Sequence, residues 1–139
     1  MPTRTAEATW EGDLQTGGGT VALGSGAYEG PYSFGSRFED AEGTNPEELI
    51  GAAEAGCFAM ALANALAEDG FTPERVHATA NVHLDASDLT IDEIELAAEG
   101  TVPDASEAEF REYAFDAKQN CPVSKALAGP NIELTAELR

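Results

Sequence analysis

Apolar and polar positions alternate from Ala6 to Glu11 around Trp10, and again from Thr20 to Leu23. This predicts two strands joined through a Gly17-Gly18-Gly19 turn, with no helix or P-loop lysine after it to make a phosphate cradle. Gly24 to Phe34 continues as turn-rich extended chain. At Thr44-Asn45-Pro46-Glu47-Glu48 the signals change together. Asn45 suits a helix N-cap, Pro46 the first helical position, and the two glutamates the positive end of the helix dipole. The helix runs to about Asp69, where Gly70 can stop it, a length of roughly 24 residues or about 36 Å. Leu49, Ile50, Phe58, Leu62 and Leu66 give it apolar bulk, while Gly51, Gly56 and seven alanines from Ala52 to Ala65 leave little side chain on several faces. Such a helix is built for close approach by its neighbours, and the pattern puts it in the middle of the core.

Downstream, Arg75 to Leu84 alternates as a strand, Asp85 to Asp88 is a turn, and Thr90 to Val102 is extended again, giving a second hairpin. Ser106 with Glu109 forms a capping box for a helix through about Gln119. Pro122 opens a short helix to Ala128, and Gly129-Pro130 stops it before a last strand, Ile132 to Leu138. Strands, long helix, strands, two helices and a strand predict an α+β fold of antiparallel sheets around a long central helix, rather than a doubly wound parallel sheet. At 139 residues the chain fits one domain, residues 1–139, which leaves no room for an enzyme with separate cofactor and substrate lobes.

Charge narrows the field of partners. Seven Lys and Arg against 26 Asp and Glu give a net charge of −19, which argues against nucleic acid or an anionic membrane surface. The acids recur along nearly the whole chain, and Lys118 and Lys125 are the only lysines. Self-repulsion of this size opposes compaction in dilute buffer but is screened near 1 M salt, where the Debye length is about 3 Å. The expectation is a halophilic protein whose denaturation midpoint rises as KCl goes from dilute to molar; a falling midpoint contradicts it. No apolar run is read as approaching the roughly 18 residues of a membrane helix, and Met1-Pro2-Thr3-Arg4 leads into polar alternation rather than a signal-peptide core. A cytoplasmic location follows, in which two cysteines do not form a permanent staple.

The two cysteines read differently. Cys57 lies mid-helix between Gly56 and Phe58, beyond reach of its own helix dipole, and could be a core filler or a thiol that borrows positive charge from elsewhere. Cys121 precedes Pro122 at a helix N-terminus, where free N–H groups stabilise a thiolate, although a packing role in the cap region is equally open. Their 64-residue separation fits neither CxxC nor zinc spacing. His77 and His83 share a strand face and read as exposed, and Asp85, Asp88, Asp92 and Glu93 lack the calcium-loop pattern. No metal site is predicted.

Thr44-Asn45-Pro46-Glu47-Glu48-Leu49-Ile50-Gly51-Ala52-Ala53 followed by Ala55-Gly56-Cys57-Phe58-Ala59-Met60-Ala61-Leu62 resembles the first cysteine motif of the OsmC/Ohr hydroperoxide reductases, in their OsmC branch. Asn120-Cys121-Pro122-Val123-Ser124-Lys125-Ala126-Leu127 resembles the second, and Trp10-Glu11-Gly12, Arg37-Phe38-Glu39 and Gly70-Phe71-Thr72-Pro73 extend the likeness over nearly the whole chain. Glu54 departs from it, standing where family members often carry histidine. The resemblance implies a thiol peroxidase for organic hydroperoxides in which Cys57 is the nucleophile and Cys121 resolves its sulfenic acid as a disulfide. It implies no cofactor, an external dithiol reductant such as a lipoylated protein, and Arg37 with Glu47 as activators of the thiolate. It also implies an intertwined homodimer. Glu47 and Cys57 lie ten residues apart, roughly 15 Å along one helix and about 80° around it, so they cannot meet within that helix; two copies packed antiparallel across a two-fold axis would bring Glu47 of one chain to Cys57 of the other in a shared site. The competing reading is a non-catalytic redox-sensing or stress-related binding protein on the same fold.

Overall fold

The computed structural model describes residues 2–139. By internal contacts the chain forms two compact units, one ending at Leu49 and the other running from Ile50 to Arg139. The first holds β1 (Ala6–Glu11), β2 (Gly18–Leu23) and β3 (Glu29–Tyr32), an antiparallel meander in that order. The β1–β2 turn lies earlier than the triple glycine predicts. Asp13 makes it, its side chain accepting from the Thr16 backbone N–H at 2.7 Å and the Thr16 hydroxyl at 2.5 Å, an Asx-type turn that needs no glycine run. Gly18 and Gly19 belong to β2, and a Cβ on Gly19 would fall 2.6 Å from the Tyr32 ring and 2.9 Å from the Trp10 ring. Gly19 therefore makes room for the edge-to-face pair of Trp10 and Tyr32, whose centroids are 5.2 Å apart.

A five-residue helix, α1 (Phe34–Phe38), occupies what the pattern leaves as the end of an extended stretch. Its cause is local: Ser33 and Ser36 form a reciprocal capping box, each side chain on the other's backbone N–H. Ser36 also donates to the Thr44 carbonyl at 2.7 Å, and Asn45 donates to the Ser36 carbonyl at 2.9 Å. These bonds pin α1 against the start of α2 (Pro46–Glu68).

The ends of α2 follow the chain's own signals. The Asn45 side chain accepts from the Glu48 N–H at 2.8 Å. At the other end Gly70 adopts φ +91°, Phe71 N–H reaches the Leu66 carbonyl at 2.9 Å and Gly70 N–H the Ala67 carbonyl at 3.1 Å. This is a Schellman stop, and only glycine takes that backbone conformation without strain.

The second unit holds the body of α2, β4 (Arg75–Asp85), β5 (Thr90–Thr101), α3 (Glu107–Asn120), α4 (Pro122–Ala126) and β6 (Asn131–Leu138). β4 and β5 pair antiparallel, whereas β6 joins β5 in parallel, so this sheet is mixed. The chain reaches β6 only after α3 and α4, and a helical crossover of that length allows the parallel approach. The fold is α+β, as predicted. Phe58, Leu62 and Leu66 of α2 are buried with Leu96 and Ala98 of β5, with Val102 just beyond it, and with Phe110, Ala114 and Ala117 of α3. Each large side chain so buried contributes about 1.5–3 kcal/mol.

Only one stripe of α2 is buried, so the expectation of a helix surrounded by core is not met within the chain. Gly51 packs on β4, with a Cβ there 3.4 Å from Ala80 O and Val82 Cγ2. On the opposite side Ala52, Ala53, Gly56 and Met60 are exposed. The helix also corrects the membrane-length reading: 23 residues with mean hydropathy 1.5 in its best window make it long and apolar enough to cross a membrane by length and composition. Alanine and glycine count as apolar there while supplying little bulk. His77 and His83 lie on the exposed face of β4, with His83 against Glu95 at 2.5 Å, a contact that raises the imidazole pKa.

Candidate active site

In the first unit, α1 presents Arg37 to the first turn of α2. Arg37 Nε donates to Glu47 Oε1 at 3.0 Å and one terminal nitrogen donates to Oε2 at 2.9 Å. This fork-on-carboxylate pairing holds the guanidinium plane in one orientation. Glu47 is only 7% exposed, so its remaining freedom is small. The Arg37 guanidinium also stacks over the Phe38 ring at 5.3 Å. About a third of the Arg37 side chain stays open to solvent, leaving N–H groups free for a further acceptor.

In the second unit the two cysteines, 64 positions apart in sequence, are neighbours. Both are free thiols, Cys57 half-buried and Cys121 fully buried. Cys121 and the Val123 backbone N–H both lie close enough to act on the Cys57 thiol, Cys121 favouring its protonated form and the Val123 N–H favouring the thiolate. Pro122 creates this geometry, because a residue before proline is barred from helical backbone. Cys121 accordingly sits at φ −62°, ψ 128°, ending α3 and heading α4 at once. Its N–H bonds the Ala117 carbonyl behind it and its carbonyl accepts the Lys125 N–H ahead. The N-terminal amide that the sequence reading assigns to Cys121 thus points, through Val123, at Cys57.

Burial pushes the Cys57 thiol above its ordinary pKa; the Cys121 thiol and the Glu54 carboxylate push it the same way, and the Val123 N–H alone pulls it down. Glu54, one turn before Cys57, is fully buried, with Oε1 accepting from the Ser124 hydroxyl at 2.5 Å and Oε2 without a partner among the described residues. Glu54 stands out in the sequence only as a departure from a motif. Ser124 and Val123 carry no local signal, since their role depends on a contact between elements 70 residues apart. No cluster of three or more metal-ligating side chains occurs among the described residues.

Residues 39–137 match the family model described as OsmC-like protein. The chain belongs to the OsmC family. It is 48% identical over 124 residues to Peroxiredoxin OsmC of Escherichia coli (strain K12), covering 87% of each chain, and equally to Peroxiredoxin OsmC of Shigella flexneri. Among solved structures, an OsmC-like protein from Mycoplasma pneumoniae superposes with a TM-score of 0.74 at 20% identity, covering 99% of this chain and 97% of that one. The organic hydroperoxide resistance protein OhrB of Bacillus subtilis gives 0.66 at 26% identity, covering 97% and 98%. The OsmC assignment therefore rests on sequence over most of the chain and on fold over nearly all of it.

Proposed function

We propose that this OsmC family member, a peroxidase, reduces organic hydroperoxides to alcohols through Cys57, with Cys121 as the resolving thiol. The observation that carries this reading is the pairing of the two thiols, one accessible and one buried, beneath the Val123 amide. The Cys57 thiolate attacks the distal peroxide oxygen; the O–O bond breaks, sulfur is oxidised to sulfenic acid, and the departing alkoxide takes up a proton to leave as the alcohol. The Cys121 sulfur then attacks the sulfenic sulfur. The S–S bond forms as the S–O bond breaks, and the hydroxyl leaves as water with the proton from Cys121. An external dithiol, for which a lipoylated protein is the candidate, resets the pair by exchange.

The reading needs a cation, because burial, the Cys121 thiol and the Glu54 carboxylate all oppose ionisation of Cys57. We assign that role to Arg37, oriented by Glu47 and supplied by a second copy of the chain in a homodimer with two shared sites. The exposed Ala52, Ala53, Gly56 and Met60 side of α2 supports it, since small side chains let two helices approach closely. Nothing lies within 4 Å of a Cβ placed on Gly56, so glycine next to the nucleophile has no packing reason inside one chain. Residues 1–139 act on this reading as one functional domain, in the cytoplasm, where a reducing environment keeps both thiols free.

Thiol titration tests the proposal. One equivalent of cumene hydroperoxide should remove two thiols with formation of one intramolecular disulfide, and a dithiol should restore both. Thiols that stay reduced refute it. The second reading, a redox sensor, would oxidise under the same conditions without catalytic turnover.

A further inference from the structure

We propose that Glu54 and Ser124 form a buried clasp that sets the helix of the resolving cysteine in register with the helix of the nucleophile, making Glu54 a positioning residue for the disulfide-forming step; this rests on the thiol peroxidase reading above. Glu54 lies three residues before Cys57 on α2, and Ser124 three residues after Cys121 on α4. The Ser124 hydroxyl donates to Glu54 Oε1 at 2.5 Å, in a contact where Glu54 is 0% and Ser124 9% exposed. The bond and the thiol pair are thus two ties between the same two helices, each one turn from the other. Condensation requires the Cys121 sulfur to reach the Cys57 sulfenic sulfur along a narrow approach, so fixing α4 against α2 bears directly on that step.

Two features distinguish the clasp from ordinary packing. Burying a carboxylate is costly, and the cost is largest where an oxygen has no donor; Glu54 Oε2 is such an oxygen among the described residues. The rest of α2 is rich in alanine, and an apolar residue at this position would avoid the cost. The Glu54 charge also opposes ionisation of Cys57, so the residue works against attack on the peroxide. What it offers in return is the bond to Ser124, whose benefit falls on the later step.

Three variants separate bond from charge. Glu54→Gln keeps an acceptor for Ser124 and removes the charge; Ser124→Ala removes the donor and keeps the charge; Glu54→Ala removes both. The first measurement is the Cys57–Cys121 disulfide equilibrium in glutathione redox buffers, scored by differential alkylation and mass spectrometry, which requires no peroxidase activity. Ser124→Ala and Glu54→Ala should disfavour the disulfide by about tenfold or more, the worth of one hydrogen bond to a charged group, while Glu54→Gln, which keeps an acceptor for Ser124, stays within about twofold of the parent. The second measurement is the lifetime of the sulfenic acid, trapped with dimedone after one equivalent of cumene hydroperoxide. It should lengthen in Ser124→Ala and Glu54→Ala with no fall in the rate of hydroperoxide consumption. Equal equilibria in all four proteins overturn the clasp, as does a loss in Glu54→Gln matching that in Ser124→Ala. If Ser124→Ala does not fold, the contrast of Glu54→Gln with Glu54→Ala decides. A parent protein that ignores hydroperoxide refutes the peroxidase reading instead, and the glutathione equilibrium still decides the clasp.

Discussion

Cys57→Ser is expected to abolish hydroperoxide turnover, with kcat/KM falling by at least about 10³-fold, the scale at which removal of a covalent nucleophile registers. Serine is nearly isosteric with cysteine, and Cys57 is only partly buried, so the variant should fold as the parent does. Its loss is then chemical. Cys121→Ser provides the contrast: it should consume one equivalent of hydroperoxide, leave Cys57 with one added oxygen by mass spectrometry, and stall. The pH dependence has a definite sign. Because burial, Cys121 and Glu54 hold the Cys57 pKa up, a chain acting alone has little thiolate at neutral pH, and its rate of attack climbs with pH until the raised pKa is passed. Alkylation of Cys57 by iodoacetamide in the Cys121→Ser background reads this directly. Retention of turnover in Cys57→Ser would end the assignment of the nucleophile.

Much of this arrangement is legible in the residues because it is local. Asn45, Pro46 and Gly70 mark the ends of α2 by capping chemistry that depends on a few neighbouring atoms, and Ser106 with Glu109 does the same for α3. Strand parity in β4 puts Val76, Ala78, Ala80 and Val82 inward and His77 and His83 outward, since side chains alternate faces whatever the tertiary context. The short helix α1 escapes the pattern because five residues show no helical periodicity; its signal is the Ser33–Ser36 reciprocal cap. Turn chemistry was also discoverable at Asp13, but three consecutive glycines draw the eye four residues downstream. The direction of β6 is not local at all, since it depends on how α3 and α4 return the chain.

The candidate site is less legible. Arg37 and Glu47 are singled out in advance only by the motif resemblance, because α1, which carries Arg37 to Glu47, leaves no periodicity in the sequence. Cys57 and Cys121 lie far apart in sequence, and composition offers no reason for them to meet; only a motif resemblance links them in advance. Even that resemblance does not say which sulfur the α4 amide serves. A mid-helix cysteine offers no clue to the Val123 N–H above it, because that contact depends on the break Pro122 makes in the chain. Glu54 shows how a single substitution hides its meaning. Read along the helix it is one more acid in a very acidic chain, and only burial with Ser124 as partner distinguishes it from the solvated majority.

Arg37→Ala should lower kcat/KM by about 10²- to 10³-fold, comparable to removal of one preorganised charge-stabilising donor from an active site. Arg37→Lys should recover little, because one ammonium cannot reproduce the two-point contact with Glu47. In Arg37→Ala the alkylation midpoint of Cys57 should also move to higher pH, since the group proposed to favour the thiolate is gone while burial, Cys121 and Glu54 still oppose it. Mixing tests where the arginine comes from. In a dimer of one Arg37→Ala chain with one Cys57→Ser chain, sites shared between subunits yield one intact site, combining Arg37 of the second chain with Cys57 of the first. Random reassociation makes about half of the dimers mixed, so about a quarter of wild-type activity should return from two inactive parents. Sites complete within one chain give the opposite outcome, because neither chain of the mixed dimer carries both residues. Activity that stays at the level of the parents after verified subunit exchange would therefore place the activating arginine and the nucleophile in the same chain, and the small-residue side of α2 would lose its functional rationale.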